Sequence, residues 1–482
     1  MIIYPDNDFA RSTPEAQGIR SQAIEAMLRD IVDTGADIHS MLIMRHGHLV
    51  FEHYFAPYDE NTPHSMYSCS KTFTSMLIGI ARDKGLLRLD DKVLSFFPDR
   101  EIAAPSDNLR AMTVEDLLMM GSGHAEDTFG PMMSTQDDPE ADWVRIFLDL
   151  PVTHAPGTHF VYNTGATYML SAILTRVTDK SALELANEWL FGDMGIEGAA
   201  WDSCPRGISL GGTGLHIKPR DMLRMGMLLL ARGRWKDKQL VSPDYIDRAT
   251  RKHIENRSGD PDQDPNWASG YCYQIWRCAF DAFRADGMGG QFIVCLPALD
   301  MIVVFTSALG NEIPIGYPLT LIERHLLGGT FDKPQVYDTD AAASLGTLCA
   351  ALRCPKAQTA PAGLAVPYGR PIALDENLAG LTALTLNESS IEIAATGGTV
   401  TAPYAWGAPM LSDAPQPTFF SWSRQAVLSG QADGTGGSVG LWLRYLGEPL
   451  TVRVLIEPDG DGFRVTVDST LATTFTVRGK LS

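Results

Sequence analysis

The sequence predicts an α+β domain, an antiparallel sheet flanked by helices with a helical insert, followed by a small all-β domain. Three observations carry this. Strand-forming runs lie near the start, Met41 to Tyr54, and again near residue 300, and the residues between them are mainly helical in pattern. That arrangement suits an antiparallel sheet completed by both ends of one domain. After about Tyr368 the texture shifts to short alternating runs separated by Gly, Asp, Asn and Pro, which suits a barrel or sandwich. Between the two, Gln335 to Tyr368 is rich in Ala, Pro and Thr, the composition of a linker. The expected division is residues 1–335, a linker at 336–365 and a β-domain at 366–482.

Taken in order, Met41 to Arg45 and His48 to Tyr54 flank His46-Gly47 and read as a tight hairpin. From Ser68 to Lys84 the spacing becomes helical, with Phe73, Met76, Leu77 and Ile80 on one face and Gly85 as a stop. Further helices are expected at Thr113 to Met120, opened by a Thr113/Asp116 capping pattern, at Thr167 to Thr178 and at Pro219 to Arg232. Strands follow at Tyr271 to Arg277, Gln291 to Leu296 and Met301 to Thr306, the last two joined by a Pro297 to Asp300 turn. A helix from about Pro318 to Leu327 closes the domain. In the β-domain, strands are expected at Leu381 to Leu386, Ser390 to Ala395, Thr399 to Tyr404, Val439 to Tyr445, Thr451 to Glu457, Gly462 to Asp468 and Phe475 to Arg478.

Composition excludes several classes of function. Against 39 Lys and Arg stand 58 Asp and Glu, a net charge of -19 without a basic run to offset it. Nucleic acid is therefore not an expected partner. Apolar runs such as Met225 to Ala231 fall well short of the roughly 18 residues of a spanning helix, so no membrane partner is expected. An acidic residue stands where a secretion signal would be basic and then apolar, and a cytoplasmic location is the expectation. The seven cysteines, Cys69, Cys204, Cys272, Cys278, Cys295, Cys349 and Cys354, are odd in number and never spaced C-x-x-C; reduced thiols suit that pattern better than disulfides or a zinc site. His46, His48 and His53 have no carboxylate or Cys set beside them, so no metal is expected. No glycine-rich loop ends in Gly-Lys-Ser/Thr, and no cofactor is expected.

The chemistry concentrates at Ser68-Cys69-Ser70-Lys71. On a helix, S-x-x-K sets a hydroxyl and an amine one turn apart, close enough for the amine to take the hydroxyl proton. Burial and the helix N-terminus would make the neutral amine accessible near pH 7. Lys71 is the only lysine with Ser three residues before it. Two G-x-S-x-G matches, around Ser209 and Ser438, sit in loops rather than on a strand-to-helix elbow and read as decoys.

The stretches YSCSKTFTSMLIGIARDKGLLRLDDKVLSFFPD, TVEDLLMMGSGH, PGTHFVYNTGATYMLSAILTRVT, GLHIKPRDMLRMGMLLLARGRW and GMGGQFIVCLPALDMIVVFTS resemble, in order and spacing, the serine β-lactamase and penicillin-binding protein superfamily. The likeness spans Met41 to Ser307 and is strongest to class C β-lactamase-like hydrolases, including family VIII carboxylesterases and aminohexanoate-dimer hydrolases. It implies a β-lactamase/transpeptidase-like fold, Ser68 as nucleophile and Lys71 as its partner. Tyr162 then occupies the Y-x-N position as a second proton-transfer group, its pKa lowered by Lys71. Thr164 stands where the family has Asn, which weakens the case for β-lactam turnover. The K-T-G or H-x-G position falls in Asp286 to Gln291, without Lys or His. The resemblance also implies an oxyanion hole from the N–H groups of Ser68 and Met288, with Thr164 and Gln291 among the substrate-binding residues. The missing cation argues for esters or amides without an essential acid group.

The expected function is thus a serine hydrolase acting on a small ester or amide through an acyl-enzyme. A β-lactamase, a D-aminopeptidase or a peptidoglycan peptidase is the alternative within enzymes. A binding or sensor module without turnover is the alternative outside them. Assembly into a homo-oligomer stays open.

Overall fold

The computed structural model describes residues 4–5, 8–102, 104–310, 312–377, 379–413, 416–417, 425–435, 437–470 and 472–481. Contacts divide the chain into two compact units. One comprises Met1–Gln17, Leu42–Phe51 and Ser65–Phe305; the other comprises Gly18–Met41, Glu52–His64 and Thr306–Ser482.

An antiparallel hairpin of Ile38–Arg45 (β1) and His48–Tyr54 (β2) opens the main sheet. Trp276–Arg277 (β3), Phe283–Gly287 (β4), Gln291–Leu296 (β5) and Met301–Ser307 (β6) complete it. The strand order is β2-β1-β6-β5-β4-β3, so residues from both ends of the sequence meet in one sheet, as the pattern predicts. Every residue of β1, β4, β5 and β6 is buried, which is why β5 and β6 read as nearly continuous apolar runs rather than as alternation. Two differences from expectation lie at β3 and β4. The run from Tyr271 is irregular until Trp276, with Gln274 at φ 60°. The strand carrying Arg284 and Asp286 has charged residues at alternate positions and gives no apolar signal.

The first unit holds Ser70–Asp83 (α1), Val114–Leu118 (α2), Thr164–Thr178 (α3) and Pro219–Leu230 (α4). Thr113 caps α2 in the expected box with Asp116. Residues Ser70 to Ala81 of α1 are buried without interruption, so α1 is a central helix packed on all sides rather than an amphipathic one. The α3 helix begins earlier than the periodicity suggests, because Asn163 caps it by accepting from Ala166 N.

In the second unit, the stretch 336–365 expected as a linker carries the helix Thr339–Arg353. Asp338 caps it, accepting from the backbone of Asp340 and Ala341. The segment TDAAASLGTLCAALR is built of helix formers, and the prolines that suggest a linker flank it. Ser344 Oγ donates to Glu25 at 2.8 Å, which ties the helix to another at Ser21–Thr34, a segment whose pattern carries no assignment above.

The C-terminal strands are Pro371–Leu374 (β7), Leu381–Leu386 (β8), Ser390–Ala395 (β9), Gly398–Trp406 (β10), Leu428–Asp433 (β11), Val439–Tyr445 (β12), Leu450–Asp459 (β13), Gly462–Ser469 (β14) and Ala472–Leu481 (β15). They pair in the order β10-β9-β8-β7-β15-β14-β13-β12-β11. Parallel pairing of Tyr404–Trp406 with Gly430–Ala432 then joins β10 to β11. Of the two forms expected, the barrel is the one found. Its interior is filled by Leu384, Ile391, Val400, Leu441, Leu443, Val454, Ile456 and Val465, supplied by the alternation visible in the sequence.

Among the described residues no helix is long and apolar enough to cross a membrane. All seven cysteines are free, and Cys69, Cys204, Cys272, Cys278 and Cys295 are buried.

Candidate active site

Ser68 sits in a short 3-10 turn, Tyr67–Cys69, that leads directly into α1. The helix expected to start at Ser68 therefore has a tighter first turn. Tyr67 takes φ 43°, a left-handed value that costs a bulky residue about 1–3 kcal/mol and marks functional sites more often than chance. Lys71 follows in the first turn of α1, and its Nζ donates to Ser68 Oγ at 2.9 Å, to Gly212 O at 2.8 Å and to Thr164 Oγ1 at 3.2 Å. An ammonium has three donors, and these acceptors take all of them. Lys71 is 1% exposed. Burial draws its pKa from 10.5 to about 7, opposed first by the Asp127 carboxylate and less by Asp286. When one proton leaves, the amine keeps two donors and gains a lone pair beside the Ser68 hydroxyl.

The Gly212 carbonyl reaches Lys71 because a Cβ at 212 would lie 2.8 Å from Thr164 Cγ2 and 3.1 Å from Thr164 O. Gly212 directly follows the G-x-S-x-G match around Ser209, and that loop supplies backbone acceptors rather than a hydroxyl. Thr74 Oγ1 donates to Gly211 O at 2.8 Å and Ser171 Oγ to Ser209 O at 2.7 Å. Around Ser438, Gly436 lies outside the described residues.

Thr164 is the first residue of α3, and its N–H donates to Asp127 Oδ1 at 2.8 Å. Its hydroxyl is occupied by Lys71 rather than turned to open space. Neighbouring Asn163 is fully buried and accepts from Thr128 N at 3.1 Å and Thr128 Oγ1 at 2.8 Å. Asp127 had no distinguishing motif in the sequence, yet it is the strongest charge acting on Lys71.

Tyr162 lies with its ring centroid 4.8 Å from Lys71 Nζ, and its hydroxyl interacts with the side chains of Ser68 and Trp276. The expectation that Lys71 lowers its pKa is overturned. Burial raises it, and Asp286 adds to the rise, so Tyr162 is a neutral phenol across the ordinary pH range. The physical reason is that the buried ring is desolvated and faces the Asp286 carboxylate, both of which disfavour the phenolate.

Asp286 and Gly287 end β4, Met288 to Gly290 form the turn, and Gln291 begins β5. Gly287 faces the segment before Ser68 so closely that a Cβ there would lie 2.4 Å from Met66 O. This contact brings the turn beside the Ser68 peptide. Met288 is 50% exposed. Gln291 is fully buried, and its amide donates to Met288 O at 3.0 Å, so it braces the turn instead of facing a substrate. Arg284, two residues before Asp286, is a cation just outside the Asp286 to Gln291 stretch. It is wholly buried, with Nε 3.0 Å and Nη2 2.9 Å from Asp286 Oδ2.

The fold and this constellation define an α+β protein with a β-lactamase/transpeptidase-like domain. The beta-lactamase family model matches residues 25–316, and the chain belongs to that family. It is an enzyme of the hydrolase class. A curated relative, the 6-aminohexanoate-dimer hydrolase of Paenarthrobacter ureafaciens, is 22% identical over 317 residues, 62% of this chain and 80% of that protein. Among solved structures, a putative 6-aminohexanoate-dimer hydrolase from Bacillus anthracis aligns with a TM-score of 0.54 at 21% identity, covering 67% of this chain and 87% of its own. An octameric penicillin-binding protein homologue from Pyrococcus abyssi aligns with a TM-score of 0.53 at 14% identity, covering 95% and 99%.

Proposed function

We propose that the chain hydrolyses an ester or amide through an acyl-enzyme on Ser68, with Lys71 as the base and Tyr162 as the acid. The observation that carries this is the buried Lys71 amine, with a pKa near 7, 2.9 Å from the Ser68 hydroxyl. In acylation, Ser68 Oγ bonds to the substrate carbonyl carbon as its proton passes to neutral Lys71 Nζ. The carbonyl oxygen gains the negative charge, and the N–H groups of Ser68 and Met288 hold it. Tyr162 then gives its proton to the leaving oxygen or nitrogen as that bond breaks, and Lys71 restores the Tyr162 proton. Water enters in the second half and repeats the sequence in reverse, releasing the acid and free Ser68. Thr164 and the Gly212 carbonyl keep the amine aimed, and Gln291 steadies the turn that bears Met288.

The proposal extends to a cytosolic location, supported by five buried free cysteines, and to assembly from identical subunits, as in the octameric Pyrococcus homologue. Light scattering on the purified chain reads the latter directly, and a monomeric mass rejects it. The catalytic proposal is tested by turnover of p-nitrophenyl esters: Ser68→Ala reduces it to background, and a Ser68→Ala protein with wild-type turnover rejects the assignment. Nitrocefin cleavage at a rate comparable to ester cleavage would favour the β-lactamase alternative.

A further inference from the structure

Arg284 and Asp286 form an ion pair that the acyl-transfer steps above do not use, although it lies inside the site. Its side chains are 0% and 7% exposed. Five contacts fix the guanidinium: two to Asp286 Oδ2, one to Asn266 O at 2.9 Å, one to Arg277 O at 3.1 Å and one to Cys278 Sγ at 3.6 Å. Its Cζ lies over aromatic rings, 4.6 Å from the Trp267 centroid and 5.7 Å from that of Trp276. Trp276 is in turn 5.2 Å from the Tyr162 ring and 4.9 Å from Tyr271. Phe160 completes this group, 5.9 Å from Trp276. Trp276, Tyr271, Met120 and Ile254 form its buried base, and Phe160, Tyr162 and Trp267 are partly open against it.

We infer that the Arg284–Asp286 pair is a positioning element of this site, holding the aromatic wall behind Tyr162 and leaving the site to substrates whose acyl part is neutral and apolar. The inference rests on the hydrolase proposal above. Arg284 is the cation nearest in sequence to the Asp286 to Gln291 stretch, and its donors face Asp286, two peptide carbonyls and Cys278 Sγ, so a substrate carboxylate finds no partner there. The partly open rings of Phe160, Tyr162 and Trp267 offer apolar surface instead. A buried pair of this kind contributes little net stability compared with apolar residues of similar volume, so its presence calls for another role, and the tilted and edge-on rings packed behind Tyr162 supply one. Asp286 also acts electrostatically on Lys71 and on Tyr162.

The test uses the full chain, the double variant Arg284→Met/Asp286→Leu, which leaves no unpaired buried charge, and Arg284→Lys. Two p-nitrophenyl esters of equal acyl length, the hexanoate and the hydrogen adipate, separate neutral from carboxylate substrates. The wild type is expected to prefer the hexanoate at least about tenfold in kcat/KM. On a neutral anilide, whose leaving group needs the Tyr162 proton, the folded double variant is expected to lose about tenfold in kcat through misplacement of Tyr162. Its kcat/KM profile should also shift its acid limb to lower pH, because the carboxylate that raises the Lys71 pKa is gone. A purely structural role would change the folded fraction and leave that limb in place. Arg284→Lys keeps the charge without the fork and should lose several-fold in kcat on that anilide, a loss that carries the test if the double variant does not fold. Wild-type kcat and limb in a folded double variant, wild-type kcat in Arg284→Lys, or equal use of both esters by the wild type overturns the inference alone. A wild-type chain that neither cleaves an ester nor takes an acyl group at Ser68 overturns the hydrolase proposal and this inference with it.

Discussion

Lys71 Nζ stands 2.9 Å from Ser68 Oγ, and the rest of the site is arranged around that distance. The amine is buried, its other two hydrogen bonds end on Gly212 O and Thr164 Oγ1, and its pKa of about 7 leaves much of it neutral at physiological pH. A lysine at its usual 10.5 would be a base in roughly one molecule per several thousand at pH 7.

The first prediction concerns pH. If neutral Lys71 is the base, kcat/KM rises as the amine loses its proton, with a midpoint near pH 7 and a plateau above it. Lys71→Met removes the base and should lower kcat by about 10²–10⁴-fold with little change in KM. Steady-state profiles from pH 5 to 9 check both, and a midpoint near pH 10 would count against burial as the cause.

Tyr162 is expected to act as a protonated acid, which makes its importance depend on the leaving group. Tyr162→Phe should reduce cleavage of an anilide or alkyl ester by about 10²-fold, while a p-nitrophenyl ester, whose leaving group departs without a proton, should lose far less. Equal losses on both substrates would show that Tyr162 serves another step.

Gly212→Ala is expected to push the loop away from α3, since the new methyl would meet Thr164 at 2.8 Å. Lys71 then loses its shortest acceptor, and kcat should fall by about tenfold or more in a protein that still melts cooperatively. Unchanged kinetics would mean the Gly212 carbonyl does not aim the amine.

Stability should also depend on pH, through the second unit. His39 is fully buried, 2.8 Å from His64 through its Nδ1 and stacked on Tyr58 at 3.8 Å. Burial holds its pKa well below 6.5, with Asp37 acting the other way and His64 and Arg444 adding to the depression. In the first unit burial likewise takes His124 to about 4. A depressed histidine binds its proton in the unfolded chain first, so stability is retained above about pH 6.5 and lost as pH falls toward the folded pKa values. Melting temperatures between pH 8 and 5 should therefore decline below about 6.5, less steeply in His39→Gln.

Much of this was legible in the sequence, for identifiable reasons. The hairpin at 41–54, the strands at 291–306 and the barrel alternation are carried by apolar periodicity, and the structure has them with ends moved by a few residues. The S-x-x-K spacing and the position of Tyr162 were enough to bring Ser68, Lys71 and Tyr162 to notice, and the fold sets them side by side. What the sequence concealed depends on tertiary context. Asp127 and the Gly212 carbonyl approach Lys71 only through chain crossings. Arg284 lies on a strand whose charged residues mimic an exposed one, although its charge is neutralised by Asp286 two residues later. The helix at Thr339–Arg353 was hidden by flanking prolines, and the rise in the Tyr162 pKa follows from burial that no local pattern reports.

The central claim is that Ser68 carries the acyl group, and peptide mapping after brief exposure to p-nitrophenyl butyrate reads it most directly. The account predicts one added butyryl mass on the peptide containing Ser68, present in rapidly quenched wild type, persistent when deacylation is slowed at low pH, and absent from Ser68→Ala. A butyryl mass on another residue, or ester turnover by Ser68→Ala at the wild-type rate, would contradict it.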